Sequence, residues 1–165
     1  MSFTNNLDFL MQILPALFYA TFCGALIGFE RGRRGCAAGM KTQVFICVGS
    51  ALFTMSAYSL SKDSQGEAGR MIAQIASGVG FIGAGAIMAK DRIIGLTTAS
   101  IIWVMAGLGI LAELGYGPAA VVISIGMILS IEVMSFIERK YIYPHQVKEQ
   151  NLAQINNANS DSKVG

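Results

Sequence analysis

The chain has 165 residues and a mass of 17.5 kDa, the size of one domain, with 53% hydrophobic and 13% charged residues and a mean hydropathy of +0.55. Soluble domains carry roughly 25% charged residues, so the shortage of polar surface excludes an ordinary water-soluble domain. Three cysteines are too few for a disulfide-stapled secreted scaffold, which leaves a small multi-pass membrane protein.

Five runs lack Asp, Glu, Lys, Arg and His: residues 9–29, 42–61, 71–89, 93–112 and 114–131. Each is near the ~20 residues that carry a helix across a ~30 Å hydrocarbon core. Lipid leaves no place for open sheet edges, and the short alternating segments of an outer-membrane barrel are missing. The expected fold is therefore all-α: a compact bundle of five transmembrane helices over 9–29, 42–61, 71–89, 93–112 and 114–137. Residues 1–143 form the membrane domain, and 144–165 form a polar, Asn-rich cytoplasmic tail, largely disordered.

The first span has Asp8 at its start and no basic residue ahead of it, so it reads as a true span rather than a cleaved signal. Asp8 and Gln12 share a helix face, and Gly24 with Gly28 forms a small-xxx-small pair. The loop that follows, ERGRRGCAAGMK over 30–41, is basic. It serves either as an anchor on the cytoplasmic side or as a surface for anionic headgroups or another polyanion. Glu30 and Arg31 are adjacent and point in different directions. Each is expected to meet a partner on a neighbouring helix or loop, such as Lys41, Lys90, Asp91 or Arg92.

The outer loop before the third span is polar and carries Arg70. The third span holds Gln74, Ser77, Gly78, Gly80, Gly83 and Gly85 within IASGVGFIGAG. Two readings stand: glycines for tight helix contacts at the centre of the bundle, or a discontinuous helix lining a site. The GxGxxG string inside it lacks the preceding strand and soluble unit that dinucleotide binding requires. At the start of the fourth span either Thr97 or Thr98 can cap the helix or offer its hydroxyl to an anion. Glu113 and GYGP allow only a tight turn into the fifth span. Glu132 follows a long apolar run, so it is either functional or paired near the cytoplasmic interface.

Of the 12 basic residues, ten lie in the connections after spans one, three and five. By the positive-inside rule the N-terminus faces outside and the C-terminus faces the cytoplasm. No phosphate-binding loop, metal-ligand cluster or nucleophile–base pair is present in the sequence: the single histidine is His145, and Cys23, Cys36 and Cys47 lack zinc spacing. Neither enzymatic activity, nor a cofactor, nor a nucleic-acid partner is expected.

The segments GALIGFERGRRG (24–35), AAGMKTQVFICVGSALFTMSA (37–57), GRMIAQIASGVGFIGAGAIM (69–88) and GLTTASIIWVMAGLGILAELG (95–115) together resemble the MgtC/SapB family of bacterial inner-membrane proteins. The resemblance covers about residues 7–137. It falls on Glu30, Arg31, Gly39, Lys41, Thr42, Arg70, Gln74, Gly78, Gly80, Gly83, Gly85, Gly95, Thr97 and Thr98. The family usually has Arg at the position of Lys41, and Asp-Pro where this chain has Glu67-Ala68. Longer members carry an additional soluble C-terminal domain.

The resemblance implies a five-span inner-membrane protein linked to magnesium limitation, acid stress or virulence-related survival. It implies action on partner membrane proteins, with the lipid bilayer and a membrane-protein partner or second copy as its contacts. The alternative is a small transporter of magnesium or another cation, with Asp8, Gln74, Glu132 and the glycines of span three along its path.

Overall fold

The computed structural model describes residues 3–61, 65–89 and 93–142. Five helices dominate: α1 (Phe3–Arg33), α2 (Met40–Leu60), α3 (Gln65–Gly85), α4 (Leu96–Leu111) and α5 (Gly117–Ile137). Between α3 and α4 a short antiparallel ladder pairs β1 (Met88–Ala89) with β2 (Ile93–Ile94). By contacts the chain divides into two units, Met1–Gly126 and Met127–Gly165. The predicted tail and the Lys90, Asp91 and Arg92 turn lie outside the described residues.

In the first unit α1 buries Ile13, Ala16, Ala20, Cys23 and Ile27. These recur every three or four residues, the spacing of one helical face. Glycines set how close α2 comes to that face: a Cβ on Gly28 would stand 2.5 Å from Met40 Cα, and one on Gly24 would stand 2.6 Å from Val44 Cα. Only hydrogen fits there, and this is how small residues bring two backbones together in a membrane.

The centre of this unit is α2, which packs against α1, α3 and α4. The expectation that span three would be central is corrected: among the described residues α3 packs mainly against α2 and α4. Its C-terminal end also differs from the predicted 71–89. The helix stops at Gly85, and the chain turns at Ala86 into the ladder. Gly95 fixes that turn, with φ 99° and its Cα facing the Ala86 carbonyl oxygen so closely that a side chain cannot be inserted. Gly95 also precedes α4 as its cap residue without any side-chain cap bond. The expected threonine cap is therefore not formed.

α4 and α5 are joined by a widened turn over Ala112–Tyr116, in which Gly115 has φ 85°. Gly117 then packs on the Tyr19 ring, and the Ser124 hydroxyl meets the Cys23 thiol, so the first turns of α5 run beside α1. In the second unit, Lys140 lies 5.7 Å from the Phe136 ring centroid and 5.5 Å from that of Tyr141. This is the mix of aromatic and basic side chains expected at a headgroup level.

Among the described residues three stretches are long and apolar enough to cross a membrane: Ile13–Arg33, Met40–Leu60 and the 42-residue Leu96–Ile137. α3 falls short because Gln, Ser and six glycines dilute its apolar residues and its first turns carry Glu67 and Arg70. The outward surface is strongly apolar. Phe45, Phe53 and Phe81 are 74%, 68% and 81% exposed, which hydrocarbon tolerates and water does not.

Candidate functional site

At one end of the first unit the last turns of α1 carry Glu30 and Arg31. Arg31 is 5% exposed and turns inward, where its Nη2 donates a hydrogen bond of 3.2 Å to Thr98 Oγ1 on α4. Thr98 is equally buried. Burying a guanidinium is costly unless its donors are met, and Thr98 meets one of them. Arg31 Nε has no hydrogen-bond partner among the described residues. Glu30 forms an ion pair with Arg34, the first residue after α1. The expectation was a partner on a neighbouring helix or loop, such as Lys41, Lys90, Asp91 or Arg92. The four-residue spacing explains the difference, because the Arg34 N–H still bonds the Glu30 carbonyl at 3.3 Å and so continues the helical path over Glu30.

Gln43, on the second turn of α2, is fully buried beside this cluster's entry loop. Its Nε2 donates to the Ala38 carbonyl at 3.4 Å, and its Oε1 has no partner among the described residues. Sequence reasoning passed over Gln43. The available signal was an amide at the start of an otherwise apolar span, which costs energy in hydrocarbon unless it is bonded.

The other candidates are placed elsewhere. Lys41 and Thr97 are exposed near the starts of α2 and α4. Arg70 is exposed and lies 3.9 Å from Glu67 on its own helix. Glu132 is exposed on α5, in the second unit. The α3 glycines separate sharply. Gly83 packs on Ala99, with 3.5 Å from the position of a Cβ to the Ala99 carbonyl oxygen, whereas at Gly78, Gly80 and Gly85 nothing among the described residues stands within 4 Å of a Cβ position. They do not make the tight contacts expected inside this chain. α3 is also one continuous helix from Gln65 to Gly85.

α3 therefore has three faces. Ala76, Val79 and Gly83 turn toward the bundle. Gln74, Gly78 and Ile82 line a groove against α2, together with Thr42, Phe45, Ile46, Gly49, Ser50, Phe53, Met71, Ile75 and Val79, and its volume is about 670 Å³. Ala73, Ser77, Gly80 and Ala84 form the third face, and all four are exposed. The candidates thus fall into a buried polar cluster (Glu30, Arg31, Thr98), a groove (Thr42, Gln74, Gly78) and an open small-residue face that includes Gly80.

Apolar helices with lipid-compatible surfaces and a polar cluster at one end define a helical membrane protein. Residues 17–140 match the MgtC family, and the chain belongs to it. It is 45% identical to the protein MgtC of Salmonella typhimurium (strain LT2) over 60% of this chain and 42% of that protein. It is 42% identical to YhiD of Escherichia coli K12, whose name proposes a magnesium transporter, over 76% of this chain and 60% of that protein. With the protein SapB of Bacillus subtilis it shares 38% identity over 86% of this chain and 64% of that protein. The match thus spans between two fifths and just under two thirds of these relatives. No solved structure gives a significant match.

Proposed function

We propose that the chain is a five-span protein of the bacterial inner membrane, with its N-terminus outside and residues 144–165 as a cytoplasmic tail. It serves magnesium homeostasis, acid stress or virulence-related adaptation by binding other membrane proteins, without catalysing a reaction. Family membership supports the magnesium link, since one relative's name refers to that ion. The 42 residues of Leu96–Ile137 suffice for two crossings, and the kink at Gly115 is the place where the path can break between them. α3, with 21 residues, is about 31 Å long at 1.5 Å per residue, also enough to cross. The placement of ten basic residues after spans one, three and five supports the orientation.

The observation that carries the protein-binding reading is the third face of α3. Ala73, Ser77, Gly80 and Ala84 recur at helical spacing and remain exposed. In a bilayer, small residues at this spacing let a second helix approach closely, and apolar packing of that kind drives association. No helix of the described first unit uses the face.

The second reading, a cation carrier, is favoured by the name of the Escherichia coli relative and by Gln74, an exposed amide along an apolar groove. Magnesium and proton flux into proteoliposomes separates the two. The binding reading predicts no flux above empty vesicles. Saturable flux that disappears with Glu132→Gln would establish transport instead.

A further inference from the structure

We infer that the groove between α2 and α3 is a binding site for an anionic phospholipid, with an acyl chain along the groove and the phosphate at the end marked by Lys41 and Thr42. The inference rests on the chain lying in a membrane, and not on the protein-binding reading, which uses a different face of α3.

The occupant follows from shape and charge. The two helices are antiparallel neighbours, so the groove runs from Thr42 and Ile82 at one end to Phe53 and Met71 at the other. Eleven residues of α2 correspond to about 17 Å at 1.5 Å per residue. The groove holds about 670 Å³, and its walls are apolar apart from Thr42, Ser50 and Gln74, which suits an extended hydrocarbon chain that brings no polar group into it. At Gly49 and Gly78 nothing stands within 4 Å of a Cβ position, so both glycines keep the floor open.

The two ends differ in charge. At one end Lys41 is exposed next to Thr42, and the first N–H groups of α2 follow Gly39, which offers no side-chain cap. Uncapped N–H groups at a helix start carry partial positive charge, and an ammonium beside them complements a phosphate. At the other end Arg70 faces Glu67, so its charge is offset. An amphiphile with a negative head therefore has one favourable direction in the groove.

The test is native mass spectrometry of the full chain released from detergent, titrated with phosphatidylglycerol or with phosphatidylcholine of the same acyl chains. One phosphatidylglycerol should be retained in preference to phosphatidylcholine. Lys41→Gln should reduce that preference about fivefold, the worth of one basic residue at an anionic headgroup. Gly49→Leu should abolish retention of both lipids, and if it disturbs folding, Gly78→Leu provides the same obstruction from the other wall. Ser77→Leu, on the open face of α3, should leave retention unchanged, so failure of the protein-binding reading would not affect this result. Equal retention of the two lipids, insensitive to Lys41→Gln, would overturn the inference. So would retention that survives both glycine substitutions, or displacement of lipid by a second copy of the chain.

Discussion

The Arg31 guanidinium reaches from α1 to α4 and donates to the Thr98 hydroxyl at 3.2 Å, with both side chains 5% exposed. The bond joins residues 67 positions apart and ties the two helices together at the end of the bundle where the basic loop begins. Thr98→Val keeps the shape and removes the acceptor, leaving a second guanidinium nitrogen unmet. The expected loss is about 1–3 kcal/mol of stability, read as a lower melting temperature in detergent. Thr98→Ser should restore most of it. If the valine variant melts with the wild type, the bond contributes nothing.

Close approach of α1 and α2 depends on hydrogen at Gly28. Gly28→Ala forces a methyl to 2.5 Å from Met40 Cα, with an expected cost of about 1–3 kcal/mol for overpacking. Gly80→Ala meets nothing within 4 Å and should stay within about 0.5 kcal/mol of the wild type. Comparing their melting curves checks the separation between packed and open glycines.

Gly95 is tested through its backbone. At φ 99° an alanine is strained, by roughly 1–2 kcal/mol, and its Cβ would also collide with the Ala86 carbonyl. Gly95→Ala should therefore destabilise the turn before α4, seen as faster amide hydrogen exchange through residues 86–96. Unchanged exchange would mean that the turn is not held by this residue.

How much of this could be read from residues alone depends on the kind of contact. The helices follow from charge-free runs, because lipid excludes ions wherever they occur, and each run contains most of one helix. The end of α3 was not legible: residues 86–89 are as apolar as the helix before them, and only the approach of Gly95 to Ala86 shows why the chain turns there. Glu30 was assigned a partner on a neighbouring helix or loop, although Arg34, four residues on, pairs with it locally. Arg31 was expected to meet a partner on a neighbouring helix or loop, and a hydroxyl on α4 accepts its hydrogen bond, although no charge in the pattern pointed to that residue. Nothing in the pattern distinguishes Thr97 from Thr98; their burial does. The glycines of α3 look alike in sequence, yet Gly83 is packed while Gly78 faces a groove and Gly80 faces outward. That difference arises from which neighbours α3 has, which composition does not encode.

Orientation has a direct chemical test. Cys23 and Cys47 are fully buried, whereas Cys36 is half-buried in the loop after α1. A membrane-impermeant maleimide should label Cys36 in inverted vesicles and leave it unlabelled in intact cells with a permeabilised outer membrane. Cys36→Ser should remove the signal. Labelling from the outside would reverse the proposed topology.

The open face of α3 is the proposed protein-binding surface. The direct measurement is growth of magnesium-limited cells that depend on this chain, comparing wild type with Gly80→Leu. Membrane content and melting temperature are determined for both. The prediction is that Gly80→Leu inserts and folds as the wild type does and fails to support growth. Undiminished growth with a leucine at position 80 would contradict it.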